Sequence, residues 1–245
     1  MLSKTKLLGL AAFFITAQAI AGPADYMYLP VITKGEKEID FKYGTSKNDE
    51  GVRKHVSKLG LGYAPTDYWF TEVYATRESE GGQGLTIAEW ENKFQFTETG
   101  KYPFEIGMIT EIEAPLQKNN PYEVKLGPLF QTDIDRIQLN ANFLFERKFG
   151  SNPEHEKFIT EFGYQFQTKY RYRKEFEFGV QGFGEVGEWN SWDNHKAQNH
   201  RWGPAVFGKI NVGSAQKFKY NAAVLYGVSE AAPDHTYRMQ LEYEF

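Results

Sequence analysis

The stretch RIQLNANFLFE, Arg136 to Glu146, sets Ile137, Leu139, Ala141, Phe143 and Phe145 on one parity and Arg136, Gln138, Asn140, Asn142 and Glu146 on the other. A period of two is the mark of a β-strand whose faces meet different surroundings. Here one face is aliphatic and aromatic and the other carries amides and charges. A strand held between lipid and a watery interior has that pattern, because a closed transmembrane barrel turns alternate residues outward and inward.

The alternation recurs along the chain. It passes through Ile39, Phe41 and Tyr43; Leu59, Leu61 and Tyr63; Phe104, Ile106, Met108, Thr110 and Ile112; and Tyr122, Val124 and Leu126. It continues through Phe158, Phe162, Tyr164 and Phe166; Phe176, Phe178, Val180 and Val186; and Phe218, Tyr220, Ala222, Val224 and Tyr226. It ends on Tyr237, Met239, Leu241, Tyr243 and Phe245. Two less regular strands near Tyr68–Thr76 and Leu85–Thr97, and one around Trp202–Val212, bring the total to about twelve, with eight or ten as the nearest alternative. The fold expected is all-β, a transmembrane antiparallel up-and-down β-barrel over residues 22–245.

Composition agrees with that class. A mean hydropathy of −0.57 is too polar for a bundle of membrane helices, yet aromatic residues make up 16% of the chain and glycines number 23. Strands that average a lipid face with a wet face produce this mixture. Cysteine is absent, so no disulfide, thiolate or zinc-knuckle chemistry is available.

Residues 1–21 read as a secretory signal peptide: Lys4 and Lys6, an apolar run from Leu7 to Ile15, and a small-x-small site at Ala19-Ile20-Ala21. Without those two lysines, 26 of the 28 basic residues face 32 acidic ones, a net charge of −6 with no basic stripe for a nucleic acid.

Joins such as APTD, TGKYP, KYRYR and GSAQK read as short turns, and TSKNDEGVRK, RESEGGQG, APLQKNNPYE, KFGSNPEHEK and NSWDNHKAQNHR as long loops. Short turns face the periplasm in such barrels and long loops face outward. Tyr63, Tyr68, Trp69, Tyr102, Phe104, Phe166, Tyr170, Phe218, Tyr220, Tyr243 and Phe245 fall beside the short turns, where rings prefer the membrane boundary, and are expected to form an aromatic girdle. A chain that ends on Phe245 then closes its last strand at that boundary, with its backbone paired to the first strand.

The ending YRMQLEYEF resembles the C-terminal aromatic signature of proteobacterial outer-membrane barrels, with Tyr237, Met239, Leu241, Tyr243 and Phe245 in the matching positions. The resemblance implies recognition by the barrel-assembly machinery and residence among outer-membrane lipid. More loosely, YLPVITKGEKEIDFKYG, HRWGPAVFGKI and LYGVSEAAPDHTYRMQLEYEF resemble a group of small barrels labelled as phenol-degradation or copper-resistance-type outer-membrane proteins. It carries no catalytic motif.

The inward parity is where function is expected. Glu105, Glu111, Glu113, Arg136, Glu146, Glu161, Glu177, Glu185, Lys209, Lys219, Arg238 and Glu242 fall on it. One reading is a narrow pore whose carboxylates favour cations or neutral polar solutes. The other is a lumen plugged by its own ion pairs, in a structural or interaction barrel that displays loops. A soluble periplasmic β-barrel, with the aromatic face turned inward, is a third. No nucleophile–base motif marks an enzyme. His55, His155, His195, His200 and His235 sit near the long loops, but Asp193, His195 and His200 lack a regular ligand spacing, so solvated loop histidines are expected, weak metal binding belongs to the loop-displaying alternative, and no metal site or cofactor is assigned.

Overall fold

A computed structural model describes residues 22–48, 51–151, 157–214 and 216–245. The signal-peptide reading of residues 1–21 and the loop position of His155 lie outside the described residues. The chain forms β1 (Lys37–Lys47), β2 (Arg53–Thr66), β3 (Trp69–Glu80), β4 (Gln83–Gln95), β5 (Glu105–Pro115), β6 (Tyr122–Ile134) and β7 (Ile137–Phe149). It continues with β8 (Thr160–Arg173), β9 (Phe176–Glu188), a two-residue β10 (Ser191–Trp192), β11 (Asn199–Asn211), β12 (Lys217–Gly227) and β13 (His235–Glu244).

Apart from β10, which folds back on β9, the twelve long strands form one antiparallel ring with each strand hydrogen-bonded to its neighbours. The ring closes where β13 pairs with β1, Glu244 opposite Glu38 and His235 opposite Lys47. The Phe245 amide extends that seam, donating to the Lys37 carbonyl at 2.9 Å. Among the described residues, closure gives each of the twelve long strands a partner on both sides, the condition for a sheet to survive in a bilayer.

One end of the barrel holds the start of β1, the end of β13 and two-residue joins at 67–68, 135–136 and 174–175. Loop lengths differ from the sequence reading in two places. RESEGGQG is a tight hairpin: Gly81 and Gly82 have φ of 57° and 86°, the left-handed pair a two-residue turn demands, so β3 and β4 run up to it. TGKYP belongs to a longer connection over 96–104, held by the Glu105 carboxylate, which accepts from the Thr97 hydroxyl and the Gly100 amide, both at 2.6 Å.

The apolar parity faces out. Leu59, Leu61, Val73, Trp90, Phe104 and Phe143 are exposed, while Asp40, Lys42, Glu72, Glu91, Glu111, Asn142 and Gln181 are buried inside the ring. This orientation opposes a soluble barrel with an aromatic core and presents the kind of band that meets lipid.

Leu61→Arg, at the outward middle of β2, should therefore cost roughly 2–4 kcal/mol in lipid. Asn221→Arg, which points into the lumen from β12, should be nearly silent. Unfolding of both variants by denaturant in lipid vesicles measures the difference, and equal losses would count against an outward lipid face.

Candidate functional site: the lumen and the segment that crosses it

The interior is not an open tube. Residues 22–36, ahead of β1, enter the ring from the end where β1 begins and run up through it. The Gly35 amide donates to the Ala64 carbonyl at 2.8 Å, and farther in the Ile32 amide donates to Gln95 Oε1 at 2.7 Å. The Tyr28 hydroxyl donates to Glu111 Oε2 at 3.0 Å, while Asn142 Nδ2 donates to the Tyr28 carbonyl at 3.0 Å. The Tyr26 hydroxyl donates to Glu91, and the Lys42 ammonium lies 3.3 Å from the centre of the Tyr26 ring. Ala24, Tyr26, Met27, Tyr28 and Ile32 are all buried.

The wall is shaped for this segment. Gly44 lies on the inward parity of β1, and a Cβ there would stand 2.0 Å from the Pro23 carbonyl oxygen, so only glycine lets the two backbones touch. Ile109, Leu129 and Leu144 break the polar inward pattern of β5, β6 and β7, and they form one buried cluster with Tyr26 and Tyr28. Phe70 does the same on β3, packing with Ile32 and Ala64. Each buried side chain of this size contributes on the order of 1.5–3 kcal/mol to holding the segment. Sequence reasoning missed the segment, although two signals were present. The run Tyr26 to Ile32 is apolar without alternation, and the apolar exceptions on the inward parity need a partner inside the ring.

Beside the segment, a ladder of amides crosses the wall. Asn140 Nδ2 donates to Gln131 Oε1 at 3.1 Å, Gln167 Nε2 to Asn140 Oδ1 at 3.1 Å, and Gln181 Nε2 to Gln167 Oε1 at 2.6 Å. Arg238 completes it from β13, its Nη1 donating to Gln181 Oε1 at 2.6 Å. These amides carry no net charge, and a search for inward charges passes over them.

The sequence-predicted residues separate into groups. Glu111, Glu113 and Glu146 converge on Lys125, whose Nζ lies 2.9, 3.9 and 3.6 Å from their respective oxygens. Lys219 gathers Glu242 at 2.5 Å with Glu36 and Glu244. Glu177 pairs with Lys169 at 3.1 Å. Glu185 is buried on β9 and accepts from Asn199 Nδ2 at 3.4 Å. Glu161 is half-buried at the start of β8, and Lys209 is exposed at the inner rim of β11. Glu105 holds the 96–104 connection. Arg136 lies in the exposed 135–136 turn, outside the strand that its alternation suggested. Tyr237, Met239, Leu241, Tyr243 and Phe245 share the outward parity of the closing strand, with the last two rings stacked at 5.8 Å.

Two carboxylate triads have metal-like spacing, Glu36–Glu242–Glu244 and Glu89–Glu111–Glu113. Ammonium groups sit on both. Lys219 contacts all three carboxylates of the first, and in the second Lys58 pairs with Glu89 at 2.8 Å while Lys125 takes the other two. The histidine rings of His195 and His200 lie 5.5 Å apart, but the two nitrogens of His200 are engaged by the Tyr164 hydroxyl and Gln198 Oε1.

The segment divides the lumen into two vestibules. The one at the end where β1 begins has a volume of about 520 Å³. The one toward the longer loops, lined by Asp25, Lys58, Glu113 and Lys125 among others, has about 140 Å³. Charge in the larger vestibule is sorted around its wall. From β13 through β4 it is lined by Glu36, Glu38, Asp40, Glu72 and Glu242 against Lys93, with Lys219 at the edge on β12, a formal −3. From β8 through β11 it is lined by Lys169, Arg171, Lys174 and Lys209 against Glu177, a formal +3. Val31, Ile32 and Phe207 add apolar surface to the same space.

No protein-family model matches the chain, and no curated protein matches it either. Solved structures do match in fold. The KdgM porin aligns over 85% of this chain and 99% of its own at a TM-score of 0.56 and 10% identity. The NanC porin aligns over 85% and 98% at a TM-score of 0.55 and 10% identity. An outer membrane channel from Pseudomonas putida F1 aligns over 93% and 99% at a TM-score of 0.61, also with 10% identity. The chain thus has the fold of bacterial outer-membrane β-barrels.

Proposed function

We propose that the chain is an outer-membrane channel for small polar solutes, closed in this state by its own segment 22–36. The observation that carries this reading is a closed barrel with a polar interior and vestibules of about 520 and 140 Å³ on either side of a strand-free segment. The acid excess inferred for the lumen is offset in part by Lys58, Lys125 and Lys219, so the path suits polar solutes with a reduced preference for cations. Likeness of fold to porins and to an outer membrane channel supports the reading.

The same proposal includes export by the signal peptide, insertion by the barrel-assembly machinery through the Tyr237-to-Phe245 signature, and an orientation with the short turns toward the periplasm. The aromatic girdle belongs with it, since Tyr68, Tyr102, Phe104 and Phe245 are exposed at that end.

Two experiments test it. Gly44→Val places methyl groups where the Pro23 carbonyl lies and should push the segment out of the lumen. In planar bilayers the unmodified protein should show small conductance, and the variant a several-fold larger one with an unchanged heat-modifiable folded band. Silence from both, with the barrel folded, would replace the channel by the plugged interaction barrel. In cells, Phe245→Ser should reduce the folded band in outer-membrane fractions, and an unchanged yield would remove the assembly role from that residue.

A further inference from the structure

The larger vestibule combines features that the channel reading does not use: enclosed volume, apolar surface, and charge sorted onto two arcs of one wall. Random placement of the same side chains would interleave them. Instead Glu38 and Glu72 stand inward on β1 and β3, with Glu242 beside them on β13, and Lys169, Lys174 and Lys209 stand on the arc from β8 to β11. The Lys209 amide donates to the Lys174 carbonyl at 2.8 Å, which sets these two exposed lysines side by side at the rim. Val31 of the crossing segment and Phe207 on β11 supply apolar surface to the same space.

Opposite charge on the two arcs makes a field across the lumen rather than along it. Low-dielectric walls concentrate such a field. A solute with a single charge gains on one arc and loses on the other. A solute that carries both charges a few bonds apart, with an apolar body between, gains on both and aligns across the vestibule. A volume of about 520 Å³ falls within the roughly 300–1,000 Å³ of small-molecule sites.

We infer that this vestibule is a binding site for small zwitterions with an apolar body, of the amino-acid or dipeptide class, with the carboxylate toward Lys174 and Lys209 and the ammonium toward Glu38 and Glu72. The inference rests on the channel reading and names the solute class of that channel.

Isothermal titration of the complete mature chain in detergent tests it, with glycyl-L-leucine as the zwitterion, L-leucinamide as the cation and N-acetyl-L-leucine as the anion. The dipeptide should bind about tenfold more tightly than either singly charged probe. Lys174→Ala combined with Lys209→Ala, both at the exposed rim where folding is not at stake, should remove that preference. Equal binding of the three probes, no binding, or a preference that survives the double substitution would each overturn the inference. Conductance of the Gly44→Val variant separates the two readings: a conducting variant without zwitterion preference leaves the channel standing and removes this site, whereas a silent one removes both.

Discussion

Among the described residues the twelve long strands close into a ring in which each has a neighbour on both sides, and everything else in this molecule depends on that closure. It is completed by the pairing of β13 with β1 and extended by the Phe245 amide on the Lys37 carbonyl. Once closed, the ring has an outside and an inside that cannot exchange, because a one-residue slip of register would turn every side chain of a strand to the wrong face. The apolar outer band and the charged interior are two consequences of one constraint.

Closure also creates a space wider than side chains from the wall fill by themselves. The chain fills it with its own segment, and the wall answers with glycine where the backbones touch and apolar residues where the tyrosines lie. Ile109, Leu129 and Leu144 would be misplaced in a purely polar lumen. Against Tyr26 and Tyr28 they form a small core inside the barrel. The tyrosine hydroxyls meanwhile reach Glu91 and Glu111, so the segment gives Glu91 a donor and adds one to Glu111, which Lys125 also holds. The segment is held by packing and hydrogen bonds, and at Gly44 the wall backbone approaches it so closely that no side chain fits.

Charge inside the barrel is arranged rather than averaged. Lysines at the centres of Glu111–Glu113–Glu146 and Glu36–Glu242–Glu244 offset part of the acid excess that a count along the chain shows. The surplus on each arc of the larger vestibule is therefore local, of opposite sign on the two arcs, and invisible in the total.

The fold class was legible in the sequence because lipid and water impose a period of two on every strand, as RIQLNANFLFE displays, and that pattern survives without knowledge of neighbours. The strand number and the closing role of β13 followed from its recurrence. Turn lengths were less legible: Gly81 and Gly82 let β3 and β4 meet in a tight hairpin through left-handed backbone angles, where composition suggested a loop. Which inward residues share a site was decided only by the tertiary structure. Lys125 meets carboxylates from β5 and β7, Arg238 reaches the amide of Gln181 on a strand far along the chain, and residues 22–36 lie inside a ring built by the residues after them. Alternation states which way a side chain faces, but the curvature and register of the closed sheet determine what it faces.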